Sequence, residues 1–143
     1  MTKILGILFV LSTLINCSAI TKKEHEGEQT RFLKNTFKAT SINGENIIEM
    51  GIYLNFNEDK NTISGNSGCN TYTSSYTIEN KKINFQFPIS SKMYCENKMT
   101  AESNFFKALM KVNSFKYEEN ELIFFNQNSE PIMILKTENA TDK

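Results

Sequence analysis

Residues 63–72 constrain the possible folds of this chain more than any other stretch. They place Gly65, Gly68, Cys69 and Asn70 between two segments that alternate as β-strands do, and a second cysteine, Cys95, follows later. Glycine reaches backbone angles that a residue with a Cβ adopts only at a cost. The arrangement predicts a change of chain direction in a small β-rich domain, with a Cys69–Cys95 disulfide as a staple.

Two chemical roles compete with the disulfide for Cys69. A nucleophilic cysteine needs a neighbouring base, but the only histidine, His25, lies in a polar segment far along the chain. A zinc site needs about four cysteine, histidine or carboxylate ligands at compact spacing, and the sequence does not supply them. We therefore favour the structural disulfide and expect no catalytic residue, no metal site and no cofactor.

Alternating apolar residues predict most of the remaining strands. Segments 52–56 and 83–87 alternate strictly, Asn43-Gly44 is a strong hairpin-turn signal, and Pro88 marks the end of a strand. Further strands are expected at 37–42, 62–65, 72–78, 114–117, 122–125 and 132–135. The last two are continuous apolar runs, which predicts burial on both faces or a cavity beside them. The fold class is mainly β (α+β), a small antiparallel barrel or sandwich with one amphipathic helix.

The expected helix spans residues 101–112, with Thr100 as a possible cap. Glu102 falls in its first turn, where a carboxylate interacts favourably with the helix dipole. Apolar residues recur at three- and four-residue spacing and are Phe105, Phe106, Leu109 and Met110. We predict that this face packs inward against Phe124 and its neighbours, and that Met93 and Met99 also belong to the core.

The first residues carry an export signal. Lys3 precedes an apolar run at 4–15 that is too short to span a bilayer, and residues 14–18 read Leu-Ile-Asn-Cys-Ser. This pattern is similar to a bacterial lipobox, in which the cysteine becomes the lipidated first residue. We expect a signal peptide at 1–16, lipidation at Cys17 and a flexible tether over 17–31; an ordinary secretory signal is the alternative.

Two spaced motifs resemble the META (HslJ-like) domain family. The first is Gly65, Gly68, Cys69, Asn70 and Tyr72, and the second comprises Met93, Cys95, Glu102 and Phe105. Phe37 and Ser91 stand where the family has tryptophan and threonine. The resemblance implies a META domain over 32–137, followed by a polar tail at 138–143. It further implies a β-rich fold in envelope proteins and lipoproteins, an association with stress phenotypes, and no established catalytic residues.

Charge and composition restrict the possible partners. The formal net charge is +0, which gives no electrostatic case for nucleic-acid binding. The expected protein is a lipid-anchored component of the cell envelope, at the outer membrane, that acts in stress tolerance or as a binding module. One alternative is a hydrophobic-ligand carrier or secretion pilot with a cavity beside Phe124 and Phe125. Another is an inhibitor of a host enzyme such as lysozyme.

Overall fold

The computed structural model describes residues 30–138. The strands are β1 (Thr36–Ile42), β2 (Glu45–Asn46), β3 (Ile52–Asn57), β4 (Thr62–Ser67), β5 (Thr71–Glu79), β6 (Lys82–Phe85), β7 (Ile89–Ser90), β8 (Ser114–Glu118), β9 (Glu121–Phe125) and β10 (Pro131–Thr137). Within the described part of the chain the α-helix α1 (Met99–Leu109) stands alone, with short 3₁₀ turns at Arg31–Lys34 and Ile48–Met50.

Eight of the strands form a closed antiparallel barrel. The order is β1-β3-β4-β5-β6-β8-β9-β10, and β10 returns to pair with β1. The strands β2 and β7 lie outside this ring and extend β1 and β5. The prediction of a small antiparallel barrel with one helix is confirmed.

Alternation along several strands places one set of side chains in the barrel interior. In β5, Tyr72, Ser74 and Tyr76 are buried while the residues between them are exposed. The Asn43-Gly44 pair forms the predicted two-residue turn, with φ values of 49° and 83° that match the twist of the hairpin.

A cluster of aromatic rings closes one end of the barrel. Phe32, from the Arg31–Lys34 turn, is fully buried. Its ring centroid lies 4.8 Å from Phe115, 5.2 Å from Phe56 and 5.9 Å from Tyr117. We call this the aromatic end; it lies where β1 begins and β10 finishes.

The helix α1 covers the opposite end, which we call the helix end. Its principal strand contacts are with β4 and β1. Phe105 and Leu109 are fully buried, as predicted, and Phe106 is half-buried. The predicted inward position of Met110 is wrong, because this side chain is 43% exposed and lies beyond the edge of the buried stripe formed by Glu102, Phe105 and Leu109.

The helix differs from the prediction in its bounds, and Phe105 has its ring contact with Tyr72, while Phe105, Leu109 and Phe124 belong to one core cluster. It begins at Met99 with Lys98 at the N-cap position and no side-chain cap, so Thr100 lies inside the helix. Phe124 packs ring to ring with Phe85 at 5.5 Å, and Phe105 contacts Tyr72 at 5.1 Å. The helix closes the barrel end beside β4, which leaves β9 to face the interior.

The predicted strand at 83–87 is wrong in its second half. β6 ends at Phe85, and the chain pairs again with β5 only at Ile89. Between these points three residues, 86–88, oppose two on β5, Ser74 and Ser75. The extra residue reverses the side-chain phase, as in a β-bulge, so Pro88 is buried and Phe87 is exposed.

The C-terminal apolar strands also differ from expectation. In β9, Leu122 and Phe124 are fully buried, whereas Ile123 and Phe125 are only half-buried. One face therefore points into the barrel and the other stays partly open to solvent. Apolar residues on both faces do not require burial on both faces.

The predicted signal peptide, Cys17, most of the tether and nearly all of the tail lie outside the described residues. Over residues 30–138, no helix is long and apolar enough to cross a bilayer.

Candidate functional site

The Gly-Cys-Asn motif forms the tight connection between β4 and β5 at the helix end. The Ser67 amide donates to the Asn70 carbonyl at 2.8 Å, and the Ser67 hydroxyl oxygen lies 2.9 Å from the same atom. Gly68 has a φ of 99°, a left-handed conformation that favours glycine. A sharp, fully buried turn therefore requires this residue order.

Gly65 has a different requirement, which is space. A Cβ at this position would lie 1.9 Å from the Tyr53 carbonyl oxygen, which is backbone and cannot move aside easily. Tyr72 on β5 pairs with Gly65 on β4, and its hydroxyl donates to the same Tyr53 oxygen at 3.3 Å. Gly65 thus permits close approach of β3 and β4 beneath the Tyr72 ring.

Glu102 carries the central carboxylate of the site. It is buried, and its oxygens accept hydrogen bonds from the Ser67 hydroxyl, the Asn70 amide at 3.2 Å and the Asn70 Nδ2 at 3.0 Å. All of these partners are donors, which matches an acceptor-only carboxylate. Glu102 therefore bonds the helix directly to the turn, a role that its place in the first helical turn does not reveal.

Asn70 connects this turn to the chain that precedes the helix. Its Oδ1 accepts hydrogen bonds from the Met93 amide at 2.7 Å and the Ser91 hydroxyl at 2.8 Å. Its Nδ2 also donates to the Met93 carbonyl at 3.2 Å. One buried side chain thus satisfies both backbone groups of Met93, a task for which asparagine has the right donor and acceptor set.

The predicted disulfide is confirmed and reinforces the same connection. Cys69 and Cys95 are bonded, with Cα atoms 5.8 Å apart, inside the usual range for disulfides. Cys69 is buried in the turn, and Cys95 lies just before α1. The turn, the segment at 91–95 and the helix are therefore joined covalently as well as by hydrogen bonds.

Tyr72 forms the apolar floor of the site. Its ring contacts Phe105 at 5.1 Å and Phe106 at 5.7 Å. Burial, and secondarily the nearby Tyr53, raise the pKa of Tyr72 well above its ordinary value. The side chain stays neutral at physiological pH and acts as a packing residue with one hydrogen bond.

The chain fixed by Asn70 presents an exposed apolar surface. Its side chains are Phe87 (78% exposed), Ile89 (75%), Met93 (56%) and Tyr94 (79%). We call residues 87–94 the apolar segment. The core positions predicted for Met93 and Met99 are wrong, because Met99 is also exposed and the Met93 backbone, not its side chain, makes the internal contact.

The polar atoms of the site form hydrogen bonds that position the turn, the helix and the apolar segment relative to one another. Ser67 is fully buried, and its hydroxyl is already committed to Glu102 and Asn70. Among residues 30–138, no group of three or more histidine, cysteine, aspartate or glutamate residues could hold a metal ion. The buried polar groups can hold the turn, the apolar segment and the helix in register.

Four surface depressions have volumes of about 360–490 Å³. The largest is lined chiefly by charged and amide residues of β8, β9 and β10. None of these four is lined by Phe124 or Phe125, the residues expected beside a carrier cavity. The Phe124 side chain is fully buried against Phe85.

Solved structures share this fold. A protein from Burkholderia xenovorans matches with a TM-score of 0.63 and 15% identity, over 97% of this chain and 99% of that chain. A DUF4847 family protein from Bacteroides vulgatus matches with a TM-score of 0.56 and 15% identity, over 77% of this chain and 96% of that chain. At these identities the likeness shows the fold alone. A comparison with curated proteins gave no significant match.

The family model of the META domain matches residues 30–139, which include both motifs, the barrel and the helix. The chain belongs to the META domain family.

Proposed function

We propose that this protein is a cell-envelope lipoprotein whose non-catalytic META domain is a binding module in envelope stress tolerance or assembly. One observation carries the proposal: the buried Glu102–Asn70 hydrogen bonds and the disulfide hold a segment that exposes four large apolar side chains. A soluble domain gains nothing from fixing such a surface unless something covers it.

Cys17 is the proposed point of lipid attachment. The support is in the sequence, where the cysteine closes an apolar run of signal-peptide length. Metabolic labelling with a palmitate analogue should tag the wild-type protein in envelope fractions and leave Cys17→Ser unlabelled. Equal labelling of both proteins would contradict lipid attachment at Cys17.

A binding role and a catalytic role differ in which residues they require. A complementation assay under envelope stress should show that Phe87→Ser combined with Tyr94→Ser abolishes function while the protein remains folded and abundant. The matched control is Ile123→Ser, which alters a half-buried side chain on the outer face of β9. Full function of the double variant would exclude the apolar segment as the working surface.

The carrier and inhibitor alternatives receive less support. A carrier needs an apolar cavity of about 300 Å³ or more, whereas the Phe124 side chain, expected beside such a cavity, is fully buried against Phe85. An inhibitor of a basic enzyme such as lysozyme calls for an acidic surface. The exposed apolar segment instead carries a lysine, Lys92, and Lys98 follows it.

A further inference from the structure

We propose that the apolar segment inserts into the surface of an anionic phospholipid bilayer and so provides a second membrane contact beside the lipid anchor. This inference rests on the proposed anchorage at Cys17, which holds the domain near the membrane. It assigns the bilayer itself as the partner of the exposed side chains.

The shape of the segment favours a bilayer over a second copy of the chain. Phe87, Ile89 and Tyr94 are each at least 75% exposed, so they project from the surface and do not line a groove. Two identical projecting surfaces bury little area against each other. A soft bilayer interface accepts projecting apolar and aromatic side chains without a preformed pocket.

Part of the segment's backbone keeps hydrogen-bond partners within the protein. The Met93 amide and carbonyl are both bonded to the Asn70 side chain, and the Ser91 amide donates to the Thr71 carbonyl at 3.1 Å. An unsatisfied peptide group is costly to transfer from water to lipid. The apolar side chains can therefore enter the interface while these backbone groups keep their partners.

The sequence from the apolar segment through the helix carries more lysine than glutamate, a balance that favours anionic lipid headgroups. Residues 86–111 contain Lys92, Lys98, Lys107 and Lys111 against two glutamates, one of which, Glu102, is buried. The remaining acidic residue is Glu96. Lysines beside apolar side chains can place their ammonium groups at the headgroups while their stems lie lower.

The chain between anchor and domain is long enough. Residues 18–29 separate Cys17 from the first described residue, Thr30, and they span up to about 40 Å when extended. β1, with seven residues, extends only about 24 Å along the barrel. The helix end can therefore reach the bilayer although the chain enters at the aromatic end, and tethering gives a local concentration of about millimolar.

The test uses the full protein purified from envelopes and reconstituted by its own anchor into phosphatidylcholine vesicles containing phosphatidylglycerol. Because the chain has no tryptophan, single variants Tyr94→Trp and Phe87→Trp each report one position. Lipids brominated in the upper acyl chain should quench both, and should leave the matched control Ile123→Trp largely unquenched. Omitting phosphatidylglycerol should weaken the quenching.

Affinity gives a second readout. With Cys17→Ser and the leader replaced by a cleavable secretory signal, so that neither lipid nor apolar leader remains, Phe87→Ser combined with Tyr94→Ser should lower binding to anionic vesicles about tenfold, since each buried aromatic contributes substantially. Equal quenching at positions 94 and 123 would overturn the proposal, as would a self-associated protein whose position 94 is shielded from lipid. Fatty-acid labelling at Cys17 tests the anchor separately, so the two failures are distinguishable.

Discussion

The two ends of the barrel are closed by different kinds of interaction. At the aromatic end, Phe32 fills a space lined by rings, and the contacts are almost entirely apolar. At the helix end, a buried carboxylate, an asparagine and a disulfide join three segments of chain. A change of side-chain shape in an apolar cluster costs less stability than replacing an acceptor by a donor in a buried hydrogen-bond network. The difference indicates that the helix end specifies a geometry, whereas the aromatic end specifies a volume.

The largest expected effect is at the aromatic end. Phe32→Ala should lower the free energy of unfolding by about 3–5 kcal/mol, because a fully buried ring is lost and a cavity remains. Urea denaturation followed by circular dichroism measures the change. Phe32→Leu retains most of the volume and should cost only about 1 kcal/mol. A loss of similar size for both would contradict the volume interpretation.

Removal of the disulfide should have the next largest effect. Cys69→Ala combined with Cys95→Ala should cost about 3–4 kcal/mol, since the bond closes a loop with a sequence separation of 26. Reduction of the wild-type protein should give a comparable loss. Unchanged stability in both experiments would show that the Glu102–Asn70 hydrogen bonds alone hold the helix end.

Glu102→Gln tests the claim of a specified geometry with almost no change in volume. The glutamine keeps an acceptor oxygen for the Ser67 hydroxyl and the Asn70 backbone amide, but its Nε2 then faces the Asn70 Nδ2, which is also a donor, so we expect a loss of about 2–3 kcal/mol. The control Glu96→Gln alters an exposed carboxylate and should change stability by less than about 0.5 kcal/mol. If Glu102→Gln lowers the free energy of unfolding by less than Phe32→Leu does, the helix end is not more sensitive to a changed donor than the aromatic end is to a changed shape.

The smallest expected effect concerns Tyr76, whose buried hydroxyl has no hydrogen-bond partner among the described residues. Its ring packs on Phe56 at 5.5 Å, and that contact survives in Tyr76→Phe. We expect Tyr76→Phe to be neutral or stabilising by up to about 1 kcal/mol. By contrast, Tyr117→Phe removes the acceptor of the Asn35 Nδ2 hydrogen bond and should destabilise the protein by about 1 kcal/mol. The reverse order in thermal unfolding would contradict this assignment.

The barrel itself was predictable because strand alternation and turn residues agree along the chain. The Asn43-Gly44 turn and the inward side of β5 follow directly from local sequence. The exposed position of Phe87 does not follow from local sequence, because the extra residue at 86–88 is evident only from the pairing of both β6 and β7 with β5. A continued alternating pattern gives no local sign that a bulge has reversed the phase.

The site was predictable in its residues but not in its hydrogen bonds. Glu102 lies three residues before Phe105 and seven before Leu109, so the helical repeat itself places it on the buried face. A glutamate at such a position needs buried donors, and this spacing is the signal from which its role beyond the helix dipole could have been inferred. Ser67 offered no comparable sign, because serine is mostly exposed in proteins and nothing in the local sequence marks this one as buried.

The most direct test of the account is native-state hydrogen exchange at two neighbouring amides. The Met93 and Tyr94 side chains are both exposed, but only the Met93 amide has an acceptor among the described residues, the Oδ1 of Asn70. If the helix end fixes the apolar segment, the Met93 amide should exchange far more slowly than the Tyr94 amide, and Asn70→Ala should remove that protection. Equally fast exchange at both amides in the wild-type protein would contradict the claim that this site positions the segment.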